Sequence, residues 1–215
     1  LAHRYATAMR TLRNIEKAHP VRHFPRARLR FHLYRGQIRM LLGDPDANQD
    51  LTLALDQSEQ LALPVYGARA AVLLGDRDFW RGNDDAARVR FEQAVALADQ
   101  ANDKLGEAIA RSHLLRLGSD DPDLARIVDE LDLPELRANW LLAMSGSGRE
   151  VANTHDQINN LLQDADLPFP MHLRALSLLD RPASARRLVR TVSQRFAQRS
   201  MRQRFLDLWQ AKARV

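Results

Sequence analysis

A chain of 215 residues with 45% hydrophobic and 27% charged content can bury a substantial core and is too apolar to stay disordered. The absence of cysteine excludes a disulfide framework and a thiolate metal site, and no apolar run reaches the ~20 residues needed to cross a bilayer. The net charge of +5 is unevenly spread: residues 1–40 and 181–215 each carry ten basic side chains and one acidic, whereas the middle carries 12 basic and 25 acidic.

Abundant Ala, Leu, Arg, Gln and Asp with only 6% aromatic residues favour helices over sheets, so an all-α fold is expected. The Arg-rich start lacks the apolar centre of a signal peptide, and with no cysteine a cytoplasmic location follows. A chain opening on Leu1 rather than Met is expected to be a piece of a longer multidomain protein.

Apolar recurrence at i, i+3, i+4 and i+7, bounded by Asp, Ser, Gly and Pro, predicts twelve helices. The first spans 2–18, and after a loop through Pro20 and Pro25 the second spans 26–42. Gly43-Asp44-Pro45 turns the chain into 46–61, and Leu63-Pro64 separates that helix from 65–81. Gly82 leads into 84–101, and Asp103 is placed to cap 104–117. Gly118 to Pro122 precede a helix over 123–131, and Leu133-Pro134 starts 135–144. Ser145-Gly146-Ser147-Gly148 is expected as a flexible turn before 149–162, with 171–179, 182–198 and 201–213 completing the chain.

One pattern occurs twice, 39 residues apart: Gly36-x6-Gly43-Asp44-Pro45-Asp46-Ala47 and Gly75-x6-Gly82-Asn83-Asp84-Asp85-Ala86. Its first glycine sits within a helix, where it costs about 1 kcal/mol relative to Ala and is expected where two helices approach closely. The second is expected to make the turn, and the acidic residues to cap the following helix. Calcium loops spread their ligands over about 12 residues and close on Glu, so these carboxylates, like Asp120-Asp121-Pro122-Asp123, are read as caps.

Residues 68–101 resemble a tetratricopeptide repeat through Ala71, Leu74, Gly75, Gly82, Ala87, Phe91 and Ala94. Asp78 and Asp99 depart from it, standing where that family prefers an aromatic residue and Pro. The second clear copy is 29–63, and 104–131, 134–164 and 169–213 read as degenerate copies. The run from Ala94 to Ala108 and the ending Met201-Arg202-x-Arg204-Phe205-Leu206 resemble the longer, looser units of bacterial signalling and transcription regulators. The resemblance implies a single domain over 1–215, an α-α superhelix of antiparallel helix pairs whose first helices line a concave face. It further implies a non-catalytic module that binds a protein or peptide within a larger regulatory protein.

No zinc-protease helix, phosphate-binding glycine loop or nucleophile elbow is present, so no enzyme, cofactor or metal is expected. His19 and His23 are interrupted by Pro20 and lack a carboxylate; His3, His32, His113, His155 and His172 are scattered, and His155-Asp156 has no nucleophile beside it. Trp80, Trp209, Phe79, Phe91, Phe196 and Phe205 sit at core spacing.

On the first helices of the pairs, the candidate partner-binding residues are Arg35, Arg39, Tyr66, Arg69, Arg77, Lys104, Arg111, His113, Arg137 and Trp140. An arginine-rich groove suits acidic peptides or C-terminal carboxylates through bidentate contacts. Arg186, Arg187, Arg190, Arg195, Arg199, Arg202 and Arg204 raise nucleic acid as an alternative partner, although no recognition helix accompanies them. The same charges suit a basic closing helix that packs on the acidic body, and a structural module that dimerises or docks within its parent chain is a further alternative.

Overall fold

The computed structural model describes residues 2–18, 23–146, 153–164, 168–194, 196 and 199–212, which hold twelve α-helices and, among the described residues, no strand. They are α1 (Ala2–Ala18), α2 (Pro25–Leu41), α3 (Ala47–Gln60), α4 (Pro64–Trp80), α5 (Asp84–Gln100), α6 (Lys104–Arg116), α7 (Leu124–Leu131), α8 (Pro134–Gly146), α9 (Thr154–Asp164), α10 (Phe169–Leu178), α11 (Pro182–Ser193) and α12 (Arg199–Lys212). All twelve expected helices occur, most within two residues of their expected ends. The helix α8 runs on to Gly146, through the first half of the expected flexible turn. Residues 147–152, 195 and 197–198, and hence the expected starts and ends falling on them, lie outside the described residues.

The turns share one device. Gly43, Gly82 and Gly118 have φ of 68°, 79° and 86°, the left-handed region that glycine enters at no steric cost. The next amide then closes back five residues, as Asp44 N does to Arg39 O at 2.8 Å and Asn83 N to Asp78 O at 3.0 Å. The return turns use Ala62, Asn102 and Asp132 in the same conformation, at φ of 52°, 53° and 44°. Caps follow only in part: Asp103 accepts from Gly106 N and Asp121 from Leu124 N, while Asp44 accepts from Asp46 N. Asn83, Asp46 and Asp123 make no side-chain cap bond, so the acidic residues there act through charge at the helix start.

The in-helix glycines mark close approaches. A Cβ at Gly36 would lie 2.8 Å from Leu51 Cδ2, and one at Gly75 would lie 2.5 Å from Phe91 Cε1. Thus α2 meets α3, and α4 meets α5, with no room for a methyl group. Ala71, Ala87, Phe91 and Ala94 are all fully buried, and Leu74 nearly so. Consecutive helices pack from α2 to α6, and α2, α4, α6, α8 and α10 also touch in that order.

The last helix returns to the beginning. Phe169, Phe196, Phe205 and Trp209 form a buried cluster with Met9 of α1 and Leu41 and Leu42 at the end of α2. The Trp209 indole donates to Leu41 O at 2.9 Å and stands edge-on to Trp80, 4.9 Å away. A Cβ at Gly43 would lie 2.9 Å from Arg204 O, so the α2–α3 turn seats directly against α12. Arg204 meets Asp44 at 3.1 Å, which places the basic closing helix on the acidic body.

Candidate functional site

Two of the arginines expected along the concave face are held inside the first helix pairs. Asp50, only 1% exposed, accepts from Arg35 Nε at 2.8 Å, Arg35 Nη2 at 2.7 Å and Arg39 Nη1 at 2.7 Å, with His32 Nδ1 at 2.9 Å. Burial would raise the Asp50 carboxyl, but hydrogen bonds from His32 and Arg35 and the charges of Arg35 and Arg39 outweigh it and hold it at about 2. Glu16 on Arg35 and Asp46 near Arg39 complete the balance, with three carboxylates facing two guanidinium groups. A signal for this was present: Asp50 falls on the buried stripe of Ala47, Leu51 and Ala54, where a carboxylate needs a cation.

Further along, Arg77 pairs with Asp78 at 3.2 Å, Lys104 with Glu107 at 3.0 Å, and Arg111 with Glu107 and Asp121 at 3.1 and 3.4 Å. Arg137 reaches Asp129 and Asp132 at 3.3 and 3.6 Å, and Trp140 packs partly buried against the α6–α8 core. The last candidates differ. Tyr66 accepts from Arg30 Nε at 2.7 Å, and Arg69 is exposed with no hydrogen bond or ion pair among the described residues. Both line a shallow depression of about 520 Å³ with Leu63, Pro64, Val65 and Ala101. Arg30 of α2 thus reaches Tyr66 of α4, its guanidinium 5.4 Å from that ring's centroid, and exposed Tyr34 lies one turn further along α2.

A second polar group joins α4, α6, α10 and α12. Asp76 Oδ1 accepts from Arg116 Nη2 at 2.8 Å and lies 3.2 Å from His113 Nδ1. His113 stacks on Phe91 with centroids 4.8 Å apart, and Arg116 lies 3.9 Å over Phe79. Burial, together with the charges of Arg116 and Arg174, pushes His113 down to about 4 against the pull of Asp76. Arg174 is pushed down to about 9 by burial and by Arg116, and Lys212, lowered by the same two causes, donates to Trp80 O at 2.7 Å. Of this group only His113 was among the expected site residues. Arg174 carried a signal as the single permanent charge in the apolar helix α10.

Chemically, these groups can hold anions and orient hydrogen bonds. Among the described residues no three His, Asp or Glu side chains gather where a metal ion would be held, and no helix is long and apolar enough to cross a membrane. No family model matches the chain, and a search of curated proteins finds no match.

Proposed function

We propose that the chain is a tetratricopeptide-like array of helix pairs that works without catalysis, capturing an acidic peptide within a larger bacterial signalling or transcription-regulatory protein. The observation that carries this reading is the edge between α2 and α4. There, among the described residues, Arg30 and Arg69 meet no carboxylate; Tyr66 lines an apolar depression with Arg69, and exposed Tyr34 lies one turn from Arg30 along α2. Tyrosine and arginine combine large contact area with directional polar groups, which is why they dominate interface energetics. Two guanidinium groups without acidic neighbours select an acidic partner.

The test is a peptide array of Asp- and Glu-rich sequences, followed by anisotropy titration of the best binder. Arg69→Glu is expected to abolish binding while leaving the helical circular dichroism unchanged. Equal binding by Arg69→Glu, or no acidic binder at all, rejects the assignment. A charge reversal at Arg35 is uninformative here, because it breaks the Asp50 cluster and the fold with it.

Nucleic acid is the second reading, favoured by α11. Arg186, Arg187 and Arg190 are exposed there, with no ion pair among the described residues. Filter binding with RNA and DNA over a salt series separates the two, since phosphate-tracking contacts weaken steeply with salt.

A further inference from the structure

We propose that the edge along which α2, α4, α6 and α8 begin is a self-complementary interface that pairs two copies of this chain around a two-fold axis. Short turns make successive helices antiparallel, so these four, which pack side by side in that order, all start on one edge. The left-handed turns at Ala62, Asn102 and Asp132 deliver the chain to it. Seven large apolar side chains stay exposed among the described residues, and four of them lie within one residue of these starts: Phe24, Val65, Leu105 and Leu133, between 36% and 62% exposed. Helix starts ordinarily carry Ser, Thr, Asp or Asn, which cap the free amides. A row of bare apolar groups in those places marks a contact surface. With neighbouring axes 8–10 Å apart, the row is about 24–30 Å long, the breadth of an interface that buries ~800 Å² per partner.

Charge and order identify the occupant. The row begins and ends on one three-residue device with opposite signs, Phe24-Pro25-Arg26 and Leu133-Pro134-Glu135, and both charged side chains are exposed. The sequence carries no carboxylate from Lys17 to Gly43, so the α2 end is basic through Arg26, Arg28 and Arg30. Residues 126–137 hold four carboxylates against Arg126 and Arg137, so the α8 end is acidic. A second copy turned end for end about an axis between α4 and α6 places Phe24 against the partner's Leu133 and Val65 against the partner's Leu105. Arg26 then meets the partner's Glu135, and every contact is made twice. An anionic lipid surface or an acidic protein would suit the α2 end and be repelled at the α8 end. Val65 also lines the depression of the acidic-peptide reading, but Arg69 lies one turn further along α4, outside the row. The two readings therefore fail separately.

Sedimentation velocity of the whole chain across micromolar concentrations is the test, and a monomer–dimer equilibrium is the expected result. Arg26→Glu and Glu135→Arg are each expected to weaken the dimer about tenfold or more, because each turns two attractive pairs into two repulsive ones. Mixing the two variants in equal amounts should restore a heterodimer, and combining both substitutions in one chain should restore the homodimer. Leu105→Glu is expected to give a monomer with unchanged helical circular dichroism, while Arg69→Glu leaves the dimer intact. The charge reversals fall on exposed side chains, so they decide the question even where the Leu105 variant unfolds. A wild-type chain that stays monomeric overturns the proposal, and if that monomer sediments with phosphatidylserine vesicles the row belongs to a membrane instead. A dimer that survives folded Leu105→Glu or either charge reversal also overturns it, as does a mixture of the two reversed variants that remains monomeric.

Discussion

Gly75→Ala sets two effects of known size against each other. Alanine raises helix propensity by about 1 kcal/mol over glycine, so on an exposed helix the substitution stabilises. At position 75 the new methyl group lies 2.5 Å from Phe91 Cε1 and 2.7 Å from Phe91 Cδ1. The ring has no retreat, because His113 stacks on it at 4.8 Å and Arg116 lies 5.8 Å from its centroid. Overpacking of this kind costs about 1–3 kcal/mol, and with the ring so confined the upper half of that range applies. The expected result is a net loss of about 1–2 kcal/mol, or roughly 2–8 °C in Tm for a chain of this size. Gly82→Ala is expected to lose a similar amount for a different reason, since nothing lies within 4 Å of its Cβ and the cost is the φ of 79°. A double-mutant cycle with Phe91→Leu separates them: the Gly75 variant should couple to Phe91 by about 1 kcal/mol or more, and the Gly82 variant should add. Chemical denaturation followed by circular dichroism reads all six stabilities. A stabilised Gly75→Ala, or one additive with Phe91→Leu, refutes the close-approach argument.

Ala62 occupies the left-handed region at φ 52°, so Ala62→Gly should stabilise by up to about 1 kcal/mol in the same assay; a loss would mean the turn is not strained. Trp209→Ala should cost about 3–5 kcal/mol by emptying the closing cluster, with a change in Trp80 fluorescence reporting the lost ring contact; an unchanged Tm contradicts the closure. Acid should destabilise in two steps. His113 has its ordinary value of 6.5 when unfolded and about 4 when folded, so the unfolded chain binds the extra proton and stability falls by on the order of 3 kcal/mol between those values. His113→Phe should flatten that interval in a pH series of denaturation curves. Asp50 stabilises above 3.8, and that contribution is lost as pH falls towards about 2. Asp50→Asn should remove the second step and destabilise at neutral pH by about 3–5 kcal/mol, because Arg35 and Arg39 lose the buried carboxylate they share.

The helices and their turns were legible because their causes are local. Gly43, Gly82 and Gly118 specify left-handed turns whatever lies across from them, and Gly36 and Gly75 mark close approach within their own pairs. The candidate arginines were not legible to the same degree, because their availability depends on partners from other helices. Arg35 and Arg39 look free along α2 until Asp50 of α3 is placed beneath them, and Arg111 until Asp121 arrives from the next turn. The closing contact of Trp209 with Leu41 left no periodic trace, since it joins residues 168 apart in the chain.

That contact also bears on how the protein is made. The helices from α2 to α6 can pack as each emerges, but the end of α2 waits for residues 196–209 to cover Leu41, Leu42 and Met9. At the ~5–20 residues per second of translation, the 168 residues between Leu41 and Trp209 leave that apolar surface bare for roughly 10–30 seconds on every new chain. Premature termination within α12 leaves it bare permanently, and such truncated products should be the ones that chaperones retain and proteases clear.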